Sequence, residues 1–216
     1  MIDEELLNEI KTVFDEADKT YIRFASLDGS ACLPFINDPD DLDIHCFIDE
    51  SFDGKPYKAI EDLKSAIRER IGDNVAVIAY RQGRYTKGVR RTEDIIDWTT
   101  QTPALPTFAY QFNFSIPLCG EKEAAFGDID ILGKDKADYL ANLKHEINCE
   151  SFDRQRQRTG RTKRLYHILC GIYFIENGSY ELTEEQKKNV NIAHDKTDGW
   201  EGLYEWAKEE LEKLVG

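Results

Sequence analysis

GSACLPFINDPDDLDIHCFI, residues 29–48, is the stretch from which the fold can be read. At the strand period of two, Leu42, Ile44, Cys46 and Ile48 go to one face, while Asp41, Asp43, His45 and Phe47 share the other. Two carboxylates therefore point the same way. Adjacent carboxylates repel unless a cation sits between them, and an oxygen-only pair suits a hard ion such as magnesium, which keeps water and phosphate oxygens as its other ligands. At the other end, Gly29-Ser30 closes a strand read over residues 21–27. A glycine lets the backbone approach a phosphate, and the amide and the Ser30 hydroxyl can donate to its oxygens. Taken singly, Gly29-Ser30 reads as an ordinary turn and Asp41 with Asp43 as a solvated loop end. Together they read as the two halves of a metal-phosphate site.

Outward from this stretch the periodicities are plain. Leu6, Leu7, Ile10, Val13, Phe14 and Ala17 recur at three- and four-residue steps and predict an opening helix over residues 4–18. The intervening DGSACLPFINDPDD is rich in turn formers. A helix over 57–70 follows, with Ile60, Leu63, Ala66 and Ile67 on one face, then the β-branched run NVAVIAYR. Residues 86–131 read as strands, most clearly the apolar alternation over 108–116, and Asp128 and Asp130 in FGDIDIL share a strand face. From residue 136 the period becomes helical, through KADYLANLKHEI, RTKRLYHILCGIYFIENG, a Thr183-Glu-Glu-Gln186 capping box and a final run from Trp200 to Leu214. The expectation is an α/β (α+β) domain over 1–134 and a helical domain over 135–216.

Composition narrows the function classes. The chain has 216 residues, 41% of them hydrophobic, enough to bury a proper core. Forty-two acidic residues against 28 basic give a net charge of −14, which argues against an extended nucleic-acid surface or an anionic membrane partner and leaves an RNA end open. No stretch approaches the roughly 20 apolar residues that span a bilayer, and MIDEELLNEI is acidic where a signal peptide would be basic. A soluble, cytoplasmic protein is expected. Cys32, Cys46, Cys119, Cys149 and Cys170 are scattered without a CxxC pair and read as reduced, packing thiols.

Gly29-Ser30, ten intervening residues and then Asp41-Leu42-Asp43 resemble the signature of the DNA polymerase β superfamily of nucleotidyltransferases. The Pro-Asp-Asp-Leu-Asp run is similar to that of a bacterial and phage-borne branch of predicted nucleotidyltransferases, as are Lys163, His167 and Gly178 and the final helices. The likeness covers roughly residues 21–50 and 160–214. It implies a nucleotidyltransferase-type mixed sheet with flanking helices, followed by a helical region that in this superfamily often pairs, so that an oligomer is an open expectation. It also implies that Asp41 and Asp43 bridge two magnesium (or manganese) ions about 4 Å apart, which clamp a nucleoside triphosphate and an attacking oxygen. A third carboxylate completes such sites. Compact members carry it on the strand after the helix that follows the DxD, but the strand at 75–80 holds no acid here. Asp130 is the first choice, as metal ligand and catalytic residue, then Asp128, with Asp94 and Asp97 behind; capping a helix or decorating a turn is the competing role.

DRQRQRTGRTKR gathers Arg154, Arg156, Arg158, Arg161, Lys163 and Arg164 within eleven positions, the one concentrated positive patch. Such groups suit triphosphate oxygens, and Lys163 and Arg164 are the expected nucleotide-binding pair, against a solvated linker that balances nearby acids. His45 is expected beside the substrate, His167 as a packing residue. Three functional readings follow: a nucleotidyltransferase acting on an unknown hydroxyl acceptor (small molecule, protein or RNA end), a nucleotide-binding protein without transfer activity, and a toxin–antitoxin or defence component.

Overall fold

The structure, a computed structural model, describes residues 2–37, 39, 42–48, 55–81, 87–92, 95–103, 107–122, 129–149 and 163–216, with the backbone alone at 56–57, 80–81, 87–92, 95–103, 112 and 163. Helix α1 (Glu4–Glu16) starts at Asp3, whose carboxylate accepts the Glu5 amide at 3.2 Å, with Glu4 and Glu5 at the positive end of the helix dipole. There follow β1 (Ile22–Asp28), a 3-10 turn (Ser30–Cys32), β2 (Leu42–Ile48), α2 (Lys55–Arg70), β3 (Val75–Arg81), β4 (Lys87–Thr92), β5 (Ile95–Pro103), a second 3-10 turn (Ala109–Asn113) and β6 (Ile116–Gly120).

The strands form one six-stranded mixed sheet in the order β4-β5-β3-β2-β1-β6. β2 runs parallel to β3, a pairing that needs a crossover, and α2 supplies it. β1 is antiparallel to both β2 and β6. One face of the sheet is apolar: Ala25, Leu27, Ile44 and Cys46 pack with Ile10, Val13 and Phe14 of α1 and Ile60, Leu63 and Ile67 of α2. The alternate positions go to the other face, where the rings of Phe24 and Phe47 lie 6.1 Å apart.

The chain divides into two compact units, Met1–Pro34 with Asp38–Pro103 and Gln111–Asp128, and Phe35–Asn37 with Ala104–Tyr110 and Ile129–Gly216. The second is helical, with α3 (Lys136–Asn148), α4 (Lys163–Asn177), α5 (Glu184–Asp195) and α6 (Trp200–Val215). Its capping box is formed in full: the Gln186 amide donates to Thr183 Oγ1 at 3.2 Å, and the Thr183 amide to Gln186 Oε1 at 2.9 Å. Among the described residues no helix is long and apolar enough to cross a membrane.

Two strand readings are corrected. Residues 109–113 form a 3-10 turn, in which the amides of Phe114 and Ser115 both donate to the Gln111 carbonyl at 2.8 and 2.7 Å; only Ile116 of the alternating run lies in a strand. Alternation says which side chains need burial, not how the backbone reaches it. Tyr110 is buried against Phe174, ring centroids 5.2 Å apart, with its hydroxyl 2.9 Å from His167 Nδ1. Residues 129–131 also lie outside any strand, because Asp130 folds its own carboxylate back onto the turn that follows, as short acidic side chains do.

Gly171 tests the helical packing. Glycine to alanine within a helix ordinarily stabilises by about 1 kcal/mol. A Cβ at Gly171, however, would lie 2.7 Å from Leu143 Cδ1 and 2.8 Å from Tyr139 Oη, and that hydroxyl is tied to the Thr107 carbonyl at 2.8 Å. Gly171→Ala is expected to destabilise by about 1–3 kcal/mol in urea denaturation, the cost of overpacking.

Candidate active site

The site is built where β1 and β2 meet at their open end. Their antiparallel register sets Asp28 opposite Asp43 and Ser26 opposite His45. All four side chains share the sheet face away from α1 and α2. Gly29 follows Asp28 with φ +76°, a left-handed conformation that favours glycine. A Cβ there would also lie 2.5 Å from Asp43 Oδ2 and 3.2 Å from its Cγ, so that the Asp43 side chain would have to shift. The half-buried Asp43 carboxylate thus rests against the bare Cα of Gly29. Ser30, 5% exposed, opens the 3-10 turn, which is closed by the Leu33 amide donating to the Ser30 carbonyl at 3.1 Å.

Asp28 is 1% exposed. Its Oδ2 accepts the Ser26 hydroxyl at 3.2 Å and stands 3.3 Å from His45 Nδ1, while its Oδ1 is buried with no hydrogen-bond partner among the described residues. The neighbouring Cys32 thiol donates to the Leu27 carbonyl at 3.3 Å. Burial pushes that thiol up to about 12, with the negative charges of Asp28 and Asp43 adding to the effect.

Of the residues singled out from sequence, Gly29, Ser30 and Asp43 come together in the first unit, and His45 flanks them on the same face. Asp41, Asp94 and Asp128 lie outside the described residues, and the side chain of Asp97 in β5 is not described. Opposite Asp43, on β3, stands Ala76. Asp130 belongs to the second unit, exposed in a turn; its Oδ1 accepts the Gly133 amide at 2.9 Å and its own amide donates to Asp135 Oδ2 at 2.8 Å. That is a turn-capping role. Lys163 is the first residue of α4, and Arg164 is paired with Glu146 of α3.

Two residues with structural leverage escaped the sequence reading. Asp28 directly precedes the glycine and shares the face of Asp43, a placement that the same period of two discloses. Asn191 of α5 holds the loop between Ser30 and β2: its Nδ2 donates to the Phe35 carbonyl at 2.6 Å and its Oδ1 accepts the Asn37 amide at 2.9 Å. No local sequence signal marks it.

The donors fit a hard divalent cation. They are carboxylate oxygens, and one buried oxygen, Asp28 Oδ1, lacks a hydrogen-bond partner among the described residues. No three His, Cys, Asp or Glu side chains converge among the described residues, which leave out Asp41.

No family profile and no curated protein matches the chain in sequence. In three dimensions the chain is similar to the spectinomycin adenyltransferase AAD(9) from Enterococcus faecialis, solved with ATP and spectinomycin. The TM-score is 0.54 at 14% identity, over 98% of this chain and 100% of that one. The chain shares its fold with that protein. The likeness runs through both the mixed sheet and the helical region.

Gly29→Ala is expected to melt lower than wild type, by about 1–3 kcal/mol, since it combines the backbone penalty with displacement of Asp43. Gly72→Ala is the control: its φ is +115° but an added Cβ meets nothing within 4 Å, so it bears the backbone penalty alone. Thermal denaturation of the two should rank Gly29→Ala as the more damaging.

Proposed function

We propose that this chain is a magnesium-dependent nucleotidyltransferase that moves a nucleoside monophosphate from a nucleoside triphosphate to a hydroxyl acceptor. The observation that carries the reading is the Asp43 carboxylate seated against Gly29 at the open end of β1 and β2, within a fold shared along its whole length with an adenyltransferase. Asp41 and Asp43 would hold the cation, and Gly29-Ser30 would offer amide and hydroxyl donors to the phosphates. Magnesium, or manganese in its place, supplies charge neutralisation and polarises the phosphoryl oxygens when bound. The acceptor oxygen attacks the α-phosphorus, the bond from that phosphorus to the bridging oxygen of the β-phosphate breaks, pyrophosphate leaves, and the hydroxyl proton passes to solvent or a nearby base. Lys163 and Arg164 are proposed to neutralise the β- and γ-phosphates, Arg164 by exchanging Glu146 for a phosphate.

A small-molecule acceptor is supported by the structural neighbour, which was captured with ATP and spectinomycin, and a net charge of −14 weighs against a long nucleic acid. The second reading, nucleotide binding without transfer, is favoured by one observation, the Ala76 that stands opposite Asp43 on β3 in place of an acid.

Incubation with each α-labelled triphosphate, magnesium or manganese and a cell lysate separates the two readings. Label should appear on a protein, RNA or small-molecule acceptor and fall on the order of 100-fold or more in Asp43→Asn and Asp41→Asn, as expected for removal of a metal ligand. Label that survives both substitutions would overturn the metal assignment. Intact nucleotide binding by calorimetry with no label under any condition would favour the second reading.

A further inference from the structure

We infer that Asp28, the residue before the glycine turn, supplies the third carboxylate of the cation site, from the strand on the opposite side of β2 to the one that sequence reasoning searches. This rests on the nucleotidyltransferase reading above. β2 has two neighbours in the sheet, β3 and β1. On β3 the position level with Asp43 is Ala76; on β1 it is Asp28. A carboxylate reaching the space beside Asp43 from a neighbouring strand at this level therefore comes from β1.

The surroundings of Asp28 match those of a ligand held for use. One oxygen, Oδ2, is engaged by the Ser26 hydroxyl at 3.2 Å and flanked by His45 Nδ1 at 3.3 Å. The other, Oδ1, is buried and has no hydrogen-bond partner among the described residues. Buried carboxylate oxygens are rarely left so, because desolvation without compensation is costly. The adjacent Cys32 thiol is not the missing partner, since it donates to the Leu27 carbonyl. Metal-ligating carboxylates characteristically have one oxygen fixed by outer residues and the other directed to the ion. Ser26 and His45 are thereby positioning residues, and their polarity on an otherwise aromatic stretch of this face, beside Phe24 and Phe47, has a purpose.

The test is Mn2+ binding to the full chain, by electron paramagnetic resonance of the free ion, with and without a non-hydrolysable ATP analogue. Wild type, Asp28→Asn and Asp43→Asn are compared, together with their melting temperatures in EDTA and in Mn2+. Asp28→Asn should keep its fold in EDTA, melting within a few degrees of wild type or above it because a like charge beside Asp43 is gone. It should bind Mn2+ about 10- to 100-fold more weakly and lose most of the Mn2+-induced rise in melting temperature. Wild-type Mn2+ affinity in Asp28→Asn, with binding lost in Asp43→Asn, would overturn this inference and leave the nucleotidyltransferase reading standing. Unfolding of Asp28→Asn in EDTA would also overturn it, by showing that the carboxylate serves the fold through His45. A wild-type protein that binds neither Mn2+ nor the analogue would instead remove the nucleotidyltransferase reading, and this inference with it.

Discussion

The antiparallel pairing of β1 with β2 sets two aspartates directly across from each other, and the site is the set of devices that make this tolerable. Like charges facing across a strand pair are destabilising; two unit charges about 5 Å apart at an effective dielectric near 20 repel by about 3 kcal/mol. The Ser26 hydroxyl offsets part of this for Asp28, and Gly29 makes room for the Asp43 carboxylate. Burial pushes the Cys32 thiol up to about 12, and the negative charges of Asp28 and Asp43 add to the effect. Under the proposed function, a cation brought by the triphosphate would be the remaining compensation.

The rigidity that this demands comes from the other face of the sheet. Leu27 and Ile44, the residues between the paired polar positions, are wholly buried beneath α1 and α2, so a one-residue slip in register would exchange core for carboxylate on both strands. The register is fixed by hydrophobic burial, and the chemistry is carried on the face that burial leaves over. Within the helical unit Asn191 fastens Phe35 and Asn37, the middle of the loop that joins the glycine turn to the aspartates.

Much of this was legible in the chain. The stripe of α1, the strands on either side of the glycine turn, α2, β3 and the four C-terminal helices all follow from hydrophobic period, and Gly29 and Asp43, singled out by their chemistry and spacing, lie side by side. What could not be read depended on partners distant in sequence. The aromatic alternation at 108–114 was compatible with a strand until Phe174 and His167 were placed beside Tyr110. Asp130 resembled a strand acid because nothing in FGDIDIL shows that its carboxylate turns back to the Gly133 amide. Asp28 reads in sequence as the end of a strand, whereas register makes it the partner of Asp43.

The proposed function requires that a divalent cation and a triphosphate meet at Asp43 and Gly29. Crystals of the full chain grown with Mn2+ and a non-hydrolysable nucleoside triphosphate, measured at the manganese absorption edge, decide it. An anomalous peak is expected at about 2.0–2.2 Å from a carboxylate oxygen of Asp43, with phosphate oxygens at the Gly29-Ser30 turn. Ordered nucleotide and manganese elsewhere in the molecule, with Asp43 and Gly29 touching neither, would contradict it.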